Sequence, residues 1–367
     1  MILSIISPKK TVGTSWALQR QEFPMPRHAF QRTIVVTGGA GYIGSHMTKR
    51  LAGLGHRVIV LDNLSTGHRV AARFGELVVV DLCYRAAIAE VFDQNPIDAV
   101  MHFAGSSLVG ESISEPGKYY RNNVCSTLNL LDVMRESGVQ NIVFSSTAAI
   151  FGDPQYIPID EAHPKQPINP YGASKLMVER VLEDYAASYG LNAVSLRYFN
   201  ACGADPDGEL GESHDPETHL IPLILQAASG RRESVSVFGS DYETSDGTCV
   251  RDYIHVVDLC HAHELALDRT MDGRLRGFNA VNLGNGDGYS VREVLEVARD
   301  VVAKDHLRFR VVDDDRRAGD PATLVADARY AERLLGWRPE YTGLESMIQD
   351  AWVWEKKGAG VADSSVG

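Results

Sequence analysis

The sequence predicts an α/β protein with a doubly wound parallel sheet, followed by a smaller C-terminal α/β domain. Two observations support this prediction. From Thr33 onward, short runs rich in β-branched residues alternate with segments of helical periodicity, which is typical of βαβ units. After Asn200 the chain changes to irregular stretches rich in Gly, Pro, Asp and His. Such a segment suits a smaller domain that covers a ligand bound to the larger one.

Six strands and three helices are predicted in the first part of the chain. We expect the strands at residues 33–37, 57–62, 77–81, 99–103, 141–146 and 193–197, and the helices at residues 43–54, 119–137 and 171–189. Strands that alternate with helices in this way indicate a parallel sheet.

Four segments are predicted along the chain. They are a disordered extension at residues 1–31, the sheet domain at 32–200, the smaller domain at 201–356 and a flexible tail at 357–367. The sequence contains no apolar run long enough to span a bilayer.

The charge and the cysteine content exclude several classes of protein. A formal net charge of -12 argues against a nucleic acid or an anionic membrane as the main partner, because both attract clustered positive charge. The five cysteines have no Cys-x-x-Cys spacing and predict neither a disulfide framework nor a zinc ribbon. We therefore expect a protein of the reducing cytoplasm.

A glycine-rich turn follows the first predicted strand and opens the first predicted helix. Gly38, Gly41 and Gly44 have the spacing that allows a tight turn, a close approach of the backbone to a pyrophosphate, and close packing of helix on strand. Asp62 ends the second strand, where a carboxylate accepts hydrogen bonds from the adenosine ribose and repels a 2′-phosphate. These residues predict a Rossmann domain that binds NAD rather than NADP.

A proton-transfer pair is predicted on the third helix. Tyr171 and Lys175 stand four residues apart and share one face. A cation beside a phenol favours the phenolate, which can take a proton from a hydroxyl group while a hydride leaves the same carbon. Ser145, Ser146 and Thr147 end the fifth predicted strand, at the sheet edge where the ligand crevice of such folds lies.

These motifs resemble those of the short-chain dehydrogenase/reductase superfamily. Within its extended branch, which acts on nucleotide sugars, the chain resembles the UDP-glucose 4-epimerase family, through residues 37–46, 62–64, 102–105, 109–112, 171–175, 197–200, 247–255 and 316–320. The resemblance implies a Rossmann domain with bound NAD and the inversion of C4 of a UDP-hexose through a transient 4-keto intermediate. It also implies a homodimer through the helices at 119–137 and 171–189.

The resemblance further implies a role for particular residues. Tyr171 would be the base, Thr147 would hydrogen-bond the same substrate oxygen, and Lys175 would bind the nicotinamide ribose and lower the pKa of Tyr171. The expected cofactor-binding residues are Gly38, Gly41, Tyr42, Ile43, Gly44, Asp62, Asn63, Asp81, Leu82, Phe103, Ala104, Gly105, Asn122, Lys175 and Phe199. The expected substrate-binding residues are Thr147, Tyr171, Asn200, Leu220, Phe238, Arg251, Arg317, Asp320 and Leu324.

Alternatives remain open at this point. A nucleotide-sugar 4,6-dehydratase would share the cofactor site, but Ala148 and Ala149 stand where those enzymes carry Asp and Glu. A non-catalytic NAD-sensing protein would typically lack the Tyr or the Lys. A UDP-arabinose/UDP-xylose 4-epimerase would keep the chemistry and change the sugar. Leu324, which replaces the bulky aromatic side chain of some members, leaves the choice of sugar undecided.

No metal site is predicted from the histidines. Asp258, His261 and His263 share a predicted helix with several leucines, close to His255, and we interpret them as structural. His214 and His219 lie in the irregular segment and are interpreted as loop or substrate-side residues.

Overall fold

The computed structural model describes residues 31–316 and 320–358. Within these ranges the strands are β1 (Thr33–Thr37), β2 (Arg57–Asp62), β3 (Glu76–Val79), β4 (Ala99–His102), β5 (Asn141–Thr147), β6 (Asn192–Tyr198), β7 (Asn200–Cys202), β8 (Val235–Phe238), β9 (Val250–His255), β10 (Phe278–Leu283), β11 (Gly288–Ser290), β12 (Val311–Asp314) and β13 (Thr323–Leu324).

The α-helices of the described residues are α1 (Tyr42–Gly53), α2 (Arg85–Gln94), α3 (Val109–Ser114), α4 (Pro116–Tyr119), α5 (Ser126–Glu136), α6 (Pro170–Tyr189), α7 (Leu220–Ala228), α8 (Val256–Met271), α9 (Val291–Ala303), α10 (Arg329–Leu335) and α11 (Leu344–Lys356). Short 3₁₀ turns lie at Arg69–Ala72 and Ala148–Ile150, and a π-helical turn at Tyr120–Cys125 joins α4 to α5.

Seven parallel strands form the central sheet, in the order β3-β2-β1-β4-β5-β6-β10. The strand order reverses between β1 and β4, which is the switch point where open α/β sheets bind their ligands. The predicted doubly wound Rossmann fold is confirmed. All six predicted strands are present, and their ends lie within two residues of the prediction.

Both faces of the sheet are covered by helices. Ile34 and Val36 of β1 are fully buried in the core beneath α1, α8 and α10, whereas Val35 is fully buried in the opposite core beneath α2, α5 and α6. This alternation explains why the strands are nearly continuous apolar runs.

The C-terminal part of the chain contributes to both regions of the molecule. β10 joins the edge of the large sheet beside β6, although it follows residue 200 by a long interval. The rest forms a small sheet in which β9 pairs with β7, β11 and β13, a second pair of strands, β8 and β12, and a core under α7, α9 and α11. The two regions are therefore connected by several chain crossings.

Two of the expected segments fall mainly outside the described residues. The expected extension at 1–31 and most of the expected tail at 357–367 lie there, so their disorder stays a prediction. Lys357, at the start of that tail, donates hydrogen bonds to the carbonyl oxygens of Asp207 and Gly208, both at 3.0 Å. None of the helices in the described ranges combines the length and the apolar character needed to cross a membrane.

Candidate active site

The glycine turn between β1 and α1 has no room for side chains. Gly38 adopts a φ of 70°, and a Cβ placed on it would lie 2.6 Å from the backbone nitrogen of Ala104. A Cβ on Gly44 would lie 2.2 Å from the carbonyl oxygen of Gly38. The bare backbone and the first turn of α1 together form the kind of cradle that binds a pyrophosphate.

Asp62 is held beside this turn. Its Oδ2 accepts a hydrogen bond from the backbone nitrogen of Ala40 at 3.0 Å, and its Oδ1 accepts one from Leu64 at 2.8 Å. Each oxygen keeps a lone pair for a ribose hydroxyl, and the negative charge disfavours a phosphate at the same place. The residues present therefore fit NAD.

Asn63 and Asp81 continue this edge beyond Asp62. The Asn63 amide donates to Oδ2 of Asp81 at 3.0 Å, and the backbone nitrogen of Cys83 donates to Oδ1 at 2.8 Å. The hydrogen bond from Cys83 lowers the pKa of Asp81 most, and the one from Asn63 lowers it further. The Leu82 side chain is buried in the core, so only its backbone is available to a ligand.

The opposite wall of the crevice follows β4. Phe103 is partly buried and packs against His263, with their ring centroids 4.8 Å apart. A Cβ on Gly105 would lie 3.5 Å from Nζ of Lys175, so this backbone passes directly beside the lysine. Asn122 donates from its amide to the Ser106 hydroxyl at 3.0 Å, which places it at the same wall.

The remaining expected cofactor residues lie at the start of α1 and directly after β6. Tyr42 donates from its hydroxyl to the carbonyl oxygen of Gly203 at 2.7 Å, and Ile43 packs against the core under α1. Phe199 is partly buried beside the apolar cluster that follows β5.

Thr147 and Tyr171 come together at the edge of the sheet, where the hydroxyl of Thr147 acts on the Tyr171 phenol and lowers its pKa. Thr147 is the last residue of β5, and Tyr171 lies in the first turn of α6, whose start is fixed by the side chain of Asn169, which accepts from the backbone nitrogen of Gly172 at 2.9 Å. Burial raises the pKa of Tyr171, and the Thr147 hydrogen bond offsets part of this increase.

Lys175 lies one turn further along α6 and is buried. Its ammonium donates to the carbonyl oxygen of Ser145 at 2.9 Å and lies 4.8 Å from the ring centroid of Phe144. Burial lowers the pKa of Lys175 to about 8. The expectation that Lys175, together with the charge of bound NAD, lowers the pKa of Tyr171 stays a prediction; in the ligand-free site burial is the largest cause acting on the Tyr171 pKa.

A buried ion pair behind this site was not predicted. Glu179, one turn beyond Lys175, accepts hydrogen bonds from the guanidinium of Arg197 at 2.8 and 2.6 Å and from the Ser146 hydroxyl at 2.6 Å. The sequence did indicate such a pair. Glu179 continues the four-residue spacing of Tyr171 and Lys175, and a charged residue on a buried helix face needs a partner.

The expected substrate residues lie mainly around β9. Arg251 forms an ion pair with Asp320, and its backbone pairs in register with Leu324. Leu324 packs against the apolar cluster that contains Ala148, immediately after Thr147. Phe238 ends β8, Asn200 begins β7 and Leu220 begins α7. Arg317 lies outside the described residues.

The histidines near α8 serve structural roles. Nδ1 of His255 accepts from the backbone nitrogen of Val257 at 3.1 Å, and Nδ1 of His263 is 2.9 Å from the carbonyl oxygen of Leu259. Asp258 accepts from the backbone nitrogens of Glu340 at 2.9 Å and Tyr341 at 2.8 Å. In the described part of the chain these side chains do not form a group that could hold a metal ion.

Comparison with known proteins decides the family. Residues 34–284 match the model of the NAD dependent epimerase/dehydratase family, which covers the glycine turn, Thr147, Tyr171 and Lys175. The chain belongs to this family. The predicted resemblance is thereby confirmed.

Individual members of the family are similar over most of the chain. The UDP-glucose 4-epimerase of Halalkalibacterium halodurans is 50% identical over 88% of this chain and 96% of its own length. The crystal structure of UDP-glucose 4-epimerase from Brucella ovis in complex with NAD has a TM-score of 0.84 and 49% identity, covering 88% of this chain and 97% of that one. The UDP-Glc/GlcNAc 4-epimerase of Campylobacter jejuni has a TM-score of 0.76 and 41% identity, covering 89% of this chain and 99% of that one.

Proposed function

We propose that this family member interconverts UDP-glucose and UDP-galactose by inverting C4 of the sugar, with NAD as a resident cofactor. The observation that carries the proposal is the placement of Tyr171 and Lys175 on one face of α6 against the end of β5, where Thr147 lies, with the Lys175 ammonium on the carbonyl oxygen of Ser145 and beside Gly105. The UDP-glucose 4-epimerases that match most of this chain support the choice of substrate.

In this proposal Tyr171 takes the proton of the C4 hydroxyl and later returns it. Thr147 hydrogen-bonds the same oxygen and keeps the phenol oriented toward it. Bound NAD would supply the hydride acceptor and a positive charge. Since burial raises the pKa of Tyr171 in the structure, the phenolate needs such a positive charge together with the ammonium of Lys175.

Positively charged side chains are proposed to bind the diphosphate of the substrate. Arg251 is largely buried and paired with Asp320, so its guanidinium is held at a defined place on β9. An anion of the substrate is expected to contact the outer nitrogens of this group, together with Arg317 and Asn200. Leu220, Phe238 and Leu324 are proposed to line the uridine and sugar sides.

The dehydratase alternative requires an acid that expels the C6 hydroxyl. Ala148 and Ala149 follow Thr147 directly, and the backbone nitrogen of Ala149 donates to Oγ1 of Thr147 at 3.1 Å. Neither side chain can donate a proton. We therefore expect a 4-epimer as the product and no 4-keto-6-deoxy sugar.

The proposal is tested with the purified chain and a panel of UDP-sugars. UDP-glucose, UDP-galactose, UDP-xylose and UDP-arabinopyranose are incubated separately, and the epimers are separated by chromatography. We expect conversion of both hexoses at the highest kcat/KM, and release of NAD without NADP on denaturation. Accumulation of a 4-keto-6-deoxy sugar, or turnover confined to the pentoses, would contradict the proposal.

The assembly is proposed to be a homodimer through α5 and α6. Both helices pack on one face of the large sheet, and α6 carries the exposed apolar side chains Met177 and Tyr189. Two such helices from each protomer would form a four-helix contact. Sedimentation equilibrium should give twice the chain mass, and Met177→Glu should shift the equilibrium toward the monomer.

A reducing compartment, the cytoplasm, is proposed as the location. The five cysteines form no disulfide bond among the described residues, and Cys83 and Cys125 are exposed. Free exposed thiols persist where glutathione keeps them reduced. Cell fractionation followed by alkylation of the free thiols tests this proposal.

A further inference from the structure

The segment at residues 203–219 connects the two regions of the molecule. Tyr42, at the start of α1, donates to the carbonyl oxygen of Gly203 at 2.7 Å, and His68 contacts the carbonyl oxygen of Ser213 at 2.9 Å. From the other side, the indole nitrogen of Trp354 donates to the carbonyl oxygen of Glu212 at 3.0 Å. The segment ends at His219, which directly precedes α7.

Four side chains of this segment converge on one point. Glu212, His214, Glu217 and His219 each direct one ligand-type atom to a common centre, and these atoms all lie within 4.8 Å of one another. Nδ1 of His214 is 3.1 Å from Oε1 of Glu212 and 3.8 Å from Oε2 of Glu217. Nδ1 of His219 contacts the same Oε1 of Glu212.

Hydrogen bonds within the group do not satisfy all of these atoms. Oε2 of Glu217 is buried without a hydrogen-bond partner among the described residues, and the side chain of Glu217 is only 4% exposed. Its other oxygen already accepts from the backbone nitrogens of Thr218 and His219. Nδ1 of His214 lies 3.8 Å from Oε2 of Glu217, beyond hydrogen-bond distance, and is closer to Glu212 at 3.1 Å, so this Oε2 remains without a hydrogen bond from the described residues at the centre of the group.

We propose that Glu212, His214, Glu217 and His219 bind one divalent transition-metal ion, with Zn²⁺ as the expected ion. Two imidazole nitrogens and two carboxylate oxygens form a donor set that suits zinc, whereas Mg²⁺ and Ca²⁺ prefer oxygen ligands alone. In a tetrahedral zinc site neighbouring ligand atoms are about 3.4 Å apart. The distances from Nδ1 of His214 to Glu212 and Glu217, 3.1 and 3.8 Å, lie on either side of this value.

A second cluster of carboxylates lies nearby, but it already has a positively charged partner. Asp205, Asp207 and Glu209 also lie close together. However, the ammonium of Lys49 is 2.7 Å from Asp205, 2.7 Å from Glu209 and 3.3 Å from Asp207. This group already contains its cation, and it offers a matched control.

The proposed site is structural, because protein side chains fill all four positions of a tetrahedral ion. The His214 ring contacts the ring of Tyr42 edge to face, with centroids 6.4 Å apart. A bound ion would therefore fix the segment against the start of α1 and fix the residue that precedes α7. Its main effect should be on stability, with no step of the reaction passing through the metal.

The test measures metal content and thermal stability of the full-length, tag-free chain. After treatment with a chelator and removal of the chelator, titration with Zn²⁺ should give one tightly bound ion per chain by mass spectrometry of the metal. The Tm should rise by at least about 3 °C on zinc addition. His214→Gln should abolish both effects, whereas Asp207→Asn in the Lys49 group and His68→Gln on the adjacent carbonyl should retain both.

X-ray absorption at the zinc edge of the wild-type protein provides a measurement that does not depend on the folding of a variant. A first shell of nitrogen and oxygen with two imidazoles supports the proposal. A shell that contains sulfur, substoichiometric zinc with an unchanged Tm, or full zinc retention in His214→Gln would overturn it.

Discussion

Arg197 and Glu179 form a buried two-point ion pair on the helix face that also carries Tyr171 and Lys175, one turn beyond Lys175. The two hydrogen bonds are 2.8 and 2.6 Å long, and both side chains are 4% exposed. The pair joins α6 to β6, and the Ser146 hydroxyl joins the same carboxylate to β5. The position of α6 on the sheet, and with it that of Tyr171, depends on this contact.

Glu179→Gln should lower the free energy of unfolding by about 3–5 kcal/mol, because it leaves the buried Arg197 charge without a counter-ion. Urea denaturation measures this loss. Arg180→Gln is the matched control on the neighbouring position of α6, where the exposed ion pairs with Glu183 and Asp184 should contribute less than about 1 kcal/mol. Equal losses in the two variants would show that the buried pair has no special role.

Gly44→Ala should destabilise the fold by at least about 2 kcal/mol and remove bound NAD, because the new methyl group would meet the carbonyl oxygen of Gly38 at 2.2 Å. Gly53→Ala at the other end of α1 is the control. A Cβ there meets nothing within 4 Å among the described residues, and we expect a gain of about 0.4–1 kcal/mol. The measurements are the Tm and the nucleotide content of the denatured protein.

Tyr171→Phe should retain the fold and the bound cofactor and lose about 10²–10⁴-fold in kcat, because it removes the proton acceptor and no packing volume. Thr147→Val should be milder, since it removes a hydrogen bond and leaves the phenol in place. Turnover of both UDP-hexoses is measured together with NAD content. Wild-type turnover by Tyr171→Phe would mean that another group is the base.

Protonation of the buried His102 should destabilise the protein in acid. Its Nδ1 is 2.6 Å from the Thr37 hydroxyl and its Nε2 is 2.8 Å from the Thr127 hydroxyl. Burial, and secondly the charge of Lys175, lower its pKa from 6.5 to about 3. Because the unfolded chain binds this proton at a higher pH than the folded chain, the stabilisation is complete above pH 6.5 and is lost as the pH falls toward 3.

His102→Gln should therefore reduce the pH dependence of unfolding by about 1.4 kcal/mol per pH unit in the range between these two pKa values. Urea denaturation at a series of pH values from neutral into this range gives the slopes. At and above neutral pH the slopes of variant and wild type should agree, which provides an internal control. Parallel curves throughout the acid range would contradict the assignment.

Leu324→Tyr should selectively suppress activity on a 2-acetamido sugar. Leu324 is partly buried and packs against the apolar cluster that contains Ala148, the residue after Thr147. Leucine is smaller than the aromatic side chain that some members carry at this position, so we expect the wild type to convert UDP-N-acetylglucosamine measurably, and a larger side chain to exclude it by a steric clash. The comparison is kcat/KM for UDP-N-acetylglucosamine and UDP-glucose in both proteins. Equal losses on the two substrates would show that Leu324 does not select the sugar.

The amino-acid sequence was sufficient for the order of the first six strands of the large sheet and for the residues that depend on local spacing. The β-branched strand runs, the glycine spacing, Asp62 at the end of β2 and the four-residue spacing of Tyr171 and Lys175 are all local patterns, which do not depend on distant parts of the chain. The boundaries of α6 and of β5 were close to the prediction for the same reason.

Contacts between distant segments could be identified only from the tertiary structure. Nothing in the local pattern shows that β10 completes the large sheet, that Arg251 pairs with Asp320, or that Arg197 meets Glu179. The raised pKa of Tyr171 also depends on burial, which is a property of the packed chain. The group formed by Glu212, His214, Glu217 and His219 is close in sequence but irregular, so only the folded path of the segment brings its four ligand atoms to one point.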